Sequence, residues 1–168
     1  MEIKIKNWIC DKKELIKSYE FYLSKEIVQK VDIRENLYLS HFEKSEHNLD
    51  FSYFLIKENK YLDWSVVGLY YAVYHSSLSL LLKIGFKSKN HQATLCFLIF
   101  HFSEFGKEEI QLYEDLLLKE EEIFFYSSIK NNREKASYTT NINFTREDLE
   151  ILRERTLLFI NKVENLLN

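Results

Sequence analysis

Proline is absent from this chain, and glycine occurs only three times. The turns of an all-β chain draw on both residues, so their scarcity excludes a sandwich or barrel of many short strands. Cys10 and Cys96 are the only thiols, too few and too far apart for a disulfide framework or a zinc pattern. The start MEIKIKNWIC lacks the apolar core and cleavage site of a secretory signal, so the cytoplasm is the expected location. Glycine-rich phosphate loops and a nucleophile elbow are missing as well. His41 and His47 are six apart, a spacing that does not turn both imidazoles towards one ion on a helix. No metal and no cofactor are therefore expected.

What is present is apolar residues at helical spacing. With 46% of its 168 residues hydrophobic, the chain has enough material for one sizeable core, and no linker or repeat divides it. The pattern predicts an all-α antiparallel bundle of about six helices, covering residues 12–31, 35–58, a third that Asp63 caps and Gly85 ends, 90–103, 107–130 and a last one after Thr145. In the second, Tyr38, Phe42, Ser45, Leu49, Ser52 and Ile56 recur at four and three residues, with small serines that let a neighbour approach closely. Thr145 and Asp148 form a capping box for the last, whose face carries Leu149, Leu152, Thr156, Phe159, Val163 and Leu167. Residues 64–82 contain no Asp, Glu, Lys or Arg and are long enough to cross a bilayer. Three tyrosines, four serines and His75 in that stretch point instead to a core helix, with Trp64, Val67, Tyr71, His75, Leu78 and Leu82 along one side, and no membrane partner is expected. His75 and His101 read as hydrogen-bonded core histidines, and Tyr70, Tyr71 and Tyr74 as core or interface aromatics.

Two basic stretches stand out against a net charge of -3. GFKSKNHQ places Lys87, Lys89 and His91 between the third and fourth helices, with Asn90 available as a cap. IKNNREK clusters Lys130, Arg133 and Lys135 at the end of the fifth. Overall acidity argues against nonspecific binding to nucleic acid, but a local basic patch can hold a phosphate. The acidic run Glu120 to Glu122 reads as a solvated helix face.

The stretch WSVVGLYYAVYHSSLSLLLKIGFKSKNHQATLCFLIFHF, followed by FFYSSIKNNREKASYTTNINFTRED, resembles the HEPN family of prokaryotic helical-bundle proteins. The resemblance implies a core over residues 34–168, with 1–33 as an N-terminal helical extension, and a homodimer with polar functional residues near its axis. It implies RNA or a nucleotide as ligand, often in defence or toxin and antitoxin systems beside a small nucleotidyltransferase. Many members are metal-independent ribonucleases with an arginine followed, four to six residues later, by a histidine. The histidine takes the proton of the attacking 2'-hydroxyl, and the arginine steadies the phosphate charge.

Here the sequence departs from the signature. Four residues intervene between Arg133 and Tyr138, and no histidine follows. A tyrosine, ordinarily with a pKa of about 10, is a poor general base at neutral pH. The motif thus reads as a degenerate ribonuclease site, better suited to binding phosphate through Arg133, Lys87, Lys89, Lys130 and Lys135 than to cutting. The alternatives are an active ribonuclease using Arg133 with Tyr138 or with His91 brought from elsewhere in the bundle, and a noncatalytic partner of the nucleotidyltransferase whose Tyr138 is open to adenylylation. Arg34 and His41 also match the spacing, with six residues between them, but at the start of the second helix.

Overall fold

The computed structural model describes residues 7–117, 119 and 144–168. Their order is α1 (Lys12–Ser24), β1 (Val28–Lys30), α2 (Glu35–Glu58), α3 (Leu62–Lys83), β2 (Phe86–Ser88), α4 (His91–His101), a helix α5 over 107–117, and α6 (Arg146–Leu167). The protein is predominantly all-α, a helical bundle with one short ribbon. The latter part of the expected fifth helix, with Glu120 to Glu122, lies outside the described residues.

α3 runs through the centre. Val66, Leu69, Tyr70, Val73, Leu80 and Leu81 on it are almost completely buried, and α2, α4 and α6 pack around it. It is long and apolar enough to span a bilayer, but 83% of its most apolar 18-residue stretch is enclosed by the bundle. The stripe singled out in the sequence is its less buried side, where Trp64 is 50% exposed and Tyr71 and His75 are only partly covered. Apolar period identifies a buried face only when the opposite face is polar, and α3 is apolar nearly all round.

The antiparallel pair α2 and α3 forms the largest interface. Small side chains make it close. Ser45 Oγ donates to the Ala72 carbonyl at 2.7 Å, and Ser79 Oγ donates to the Tyr38 carbonyl at 2.7 Å. Gly68 faces Ser52 and Asn48 with no room for a Cβ. The connection between the helices is tight: Asn59 adopts the left-handed conformation that closes α2, and the Asn59 and Lys60 N–H groups bond back to Ile56 and Leu55. Tyr61, also left-handed, occupies the cap position of α3. Asp63 is therefore inside the first turn, where its carboxylate faces the positive end of the helix dipole, and is not the cap.

Other boundaries follow local chemistry. Asn90 Oδ1 accepts from the Ala93 N–H at 2.8 Å to start α4, and Thr145 Oγ1 accepts from the Asp148 N–H at 3.2 Å to start α6. The predicted α6 stripe is buried at Leu149, Leu152, Thr156, Phe159 and Val163. At the far end of α6, the Lys83 ammonium donates to the Leu166 and Leu167 carbonyls, where the helix dipole favours a cation. Gly85, at φ 81, follows α3 in the conformation that glycine adopts without strain.

The first helix is shorter than its pattern predicts. α1 ends at Ser24, Glu26 turns the chain at φ 53, and the β-branched pair Ile27 and Val28 leads into β1. β1 pairs antiparallel with β2, with Val28 opposite Ser88, Gln29 opposite Lys87 and Lys30 opposite Phe86. Three-residue strands fall short of the ordinary length of roughly five or six, so the ribbon is a connection within a helical fold. Trp8, Leu15, Tyr22 and Val28 enter the same core as α3, and the Trp8 indole donates to Ser18 Oγ at 3.1 Å. The aromatic ring of Tyr19 stacks on Phe97 and Phe100 of α4.

Candidate functional site

The ribbon positions a basic cleft. Because Lys87 projects from β2 beside β1 and the start of α2, it lines a cleft of about 530 Å³ with Lys30, Arg34, Asp32, Val31, Leu37 and Leu82. Three cations face one carboxylate. Lys30, Arg34 and Lys87 are exposed and form no ion pair among the described residues. Arg34 is also the N-cap residue of α2 and supplies no side-chain cap, since a guanidinium has no acceptor. The first N–H groups of a 24-residue helix thus add their positive potential to the same end of the molecule. An anion is the species this arrangement favours.

Lys89 lies on the adjoining side. It shares a smaller groove with Lys87, Asn90, Gln29, Ile27 and Glu26. His91, although only two residues on from Lys89, turns inward: its ring is hydrogen-bonded to the Tyr70 hydroxyl and packs against Tyr74 with 4.3 Å between centroids. Burial lowers the His91 pKa, so the ring is neutral at pH 7. Tyr70 is nearly inaccessible, whereas Tyr71 and Tyr74 keep partial exposure. The structure thus brings Lys87 together with Lys30 and Arg34, and puts His91 with tyrosines of α3. Arg133, Tyr138, Lys130 and Lys135 lie outside the described residues.

A second polar feature lies two turns along α2 from Arg34. His41 Nδ1 is 2.9 Å from His75 Nδ1, with the rings tilted 32° to each other. Burial lowers the His41 pKa. Burial also lowers that of His75, with His41 and Lys44 adding to the effect, to about 4. Both rings are therefore neutral at pH 7. Sequence reasoning placed His41 near a candidate arginine and His75 in the core, but did not join them. Neither did it find Lys30, which lay in the over-extended first helix. The Ile27 and Val28 pair was the available sign of a strand there. His101 contacts the Tyr19 hydroxyl at 3.2 Å at the opposite end of α4. Among the described residues no group of three or more potential ligands is placed to hold a metal ion.

With this geometry in view, comparison with known proteins adds one relative. No protein-family model matches the chain, and no solved structure matches it. It is similar to a protein of Methanocaldococcus jannaschii named "Putative toxin MJ0142", with 26% identity over 125 residues, 74% of this chain and 78% of that one. The relationship is distant.

Proposed function

We propose that this protein is a toxin-like, HEPN-type helical bundle of the cytoplasm that engages the phosphate groups of RNA or of a nucleotide. The cleft of Lys30, Arg34 and Lys87 at the uncapped start of α2 carries the reading. Three cations facing the single carboxylate of Asp32 leave the cleft net positive, and a bound phosphate offsets that excess while accepting charge-assisted hydrogen bonds. The toxin name of the archaeal relative and the resemblance in the central helices support the same direction. In this reading Lys89 extends the surface, and Arg133 with Tyr138 remains the second candidate contact.

The test is fluorescence anisotropy with single-stranded RNA and, separately, a nucleoside triphosphate. Arg34→Ala and Lys87→Ala should each weaken binding by about 1 to 3 kcal/mol, the range for a hydrogen bond to a charged group. For RNA, removing one phosphate contact should also reduce the salt slope by about 0.7. Unchanged affinity and slope in both variants would remove the cleft from the function.

A further inference from the structure

We propose that Asp32 is a specificity residue that reads the sugar of the bound ligand, accepting a hydrogen bond from a ribose 2'-hydroxyl while Lys30, Arg34 and Lys87 hold the phosphate. The inference rests on the phosphate-binding reading above and applies to RNA and to a free ribonucleotide alike. Asp32 is the one carboxylate lining the cleft. It is exposed, forms no hydrogen bond or ion pair among the described residues, and does not cap α2, which has no side-chain cap. A carboxylate offers only acceptors. Beside a phosphate it repels the anionic oxygens, so it weakens the binding of any anion that does not also bring it a donor.

The sugar is the part of the ligand that supplies this donor. In a ribonucleotide it lies between phosphate and base, and its 2'-hydroxyl is a donor that the deoxy form lacks. Bases carry donors too, but reading a base calls for a ring face to stack it on, and no aromatic residue lines this cleft. Its apolar wall is aliphatic, formed by Val31, Leu37 and Leu82, and its volume of about 530 Å³ has room for a sugar and its phosphate. The backbone fixes Asp32 from both sides. The Val31 N–H donates to the Gly85 carbonyl at 2.9 Å where the ribbon ends, and the Arg34 carbonyl accepts from the Leu37 N–H at 3.0 Å where α2 begins. Only Asp32 and Ile33 lie between these anchors, so the chain presents one acceptor and one guanidinium to the cleft at a set spacing.

The test is competition binding by fluorescence anisotropy at fixed salt, with pairs of probes that differ only at the 2' position: ATP with 2'-deoxy-ATP, and a short oligoadenylate with its deoxy counterpart. In at least one pair the wild type should bind the ribo form about tenfold or more tighter, the low end for a hydrogen bond to a charged group. Asp32→Ala removes the acceptor and the charge together. Its affinities for the ribo and deoxy forms should agree within about twofold, with deoxy binding kept or strengthened because the repulsion is gone. That retained binding also shows the variant to be folded. Asp32→Asn keeps an acceptor oxygen and should restore part of the ribo preference. Equal wild-type affinity for the two forms overturns this inference and leaves the phosphate reading intact. So does a ribo preference that survives Asp32→Ala, or an Asp32→Ala variant that loses both forms alike, the mark of a structural role. A variant that alters the preference among ATP, GTP and CTP while the sugar preference stands assigns Asp32 to the base and overturns it too. Wild type that binds none of these probes overturns both readings.

Discussion

Gly68→Ala tests how tightly α2 and α3 are joined. A Cβ at position 68 would overlap Ser52 Oγ and lie 3.2 Å from the Asn48 carbonyl oxygen and 3.4 Å from the Phe51 ring. Overpacking of a close interface costs about 1 to 3 kcal/mol. Replacing glycine by alanine within a helix returns about 1 kcal/mol, so the expected net loss is up to about 2 kcal/mol. Ser52 Oγ is the movable part of the obstruction. Its own bond, to the Asn48 carbonyl at 2.9 Å, stays within α2, so Ser52→Ala by itself should change stability little. The double variant removes the hydroxyl that the new methyl meets and should recover about 1 kcal/mol or more of the loss; the Asn48 carbonyl keeps the recovery incomplete. Urea denaturation followed by circular dichroism measures all four proteins, and equal m-values would confirm that the same surface is exposed. If Gly68→Ala is as stable as the parent in both serine backgrounds, with no coupling between the sites, the close approach of the two helices is not what the packing argument claims.

Acid should weaken the fold through the histidine pair. With the His75 pKa lowered from 6.5 to about 4 and that of His41 lowered as well, the unfolded chain binds more protons than the folded one between about pH 6.5 and 4. Stability is complete above the unfolded value and declines as pH falls through that window, by about 1 to 2 kcal/mol for His75 after allowance for its solvent contact. His75→Asn should flatten the profile in part, since His91 and His101 are lowered too; an identical profile in that variant would refute the assignment. As for assembly, the resemblance to HEPN proteins leads us to propose a homodimer, and the exposed aromatics Phe54, Tyr61 and Trp64 are surface that a second copy could cover. Light scattering should give twice the monomer mass at tens of micromolar, an order-of-magnitude choice for a weak dimer, and a monomer there would count against it.

The helical class was legible because it depends on short-range rules. Missing proline, the serine and leucine spacing of α2, the caps at Asn90 and Thr145 and the glycine after α3 each act within a few residues, so they survive in a linear reading. The same local logic failed where two short-range preferences compete. Residues 25–31 could continue an amphipathic helix, but Val28, Gln29 and Lys30 pair with Ser88, Lys87 and Phe86, far along the chain, and that pairing prevailed. The turn of α3 that Asp63 was expected to cap was set by the left-handed Asn59 and Tyr61 of the connection instead.

The candidate site was visible only in pieces. Lys87 was conspicuous in its basic stretch, but charge along a chain does not say which other charges share its space. The ribbon sets Gln29 opposite Lys87 with Lys30 one position further on, and the cleft at its edge gathers Lys30, Lys87 and Arg34 from the start of α2. His41 and His75 are 34 residues apart; the linear spacing tied His41 only to Arg34 and left His75 as a core histidine. Their contact exists because Ser45, Ser52 and Gly68 let two helix backbones approach in one register, with Tyr38 opposite Ser79 and Ser45 opposite Ala72. Propensity and period depend on neighbours within about one turn and so belong to the sequence; proton sharing and convergent charge depend on distances of a few ångströms across the chain, which only the packed helices set.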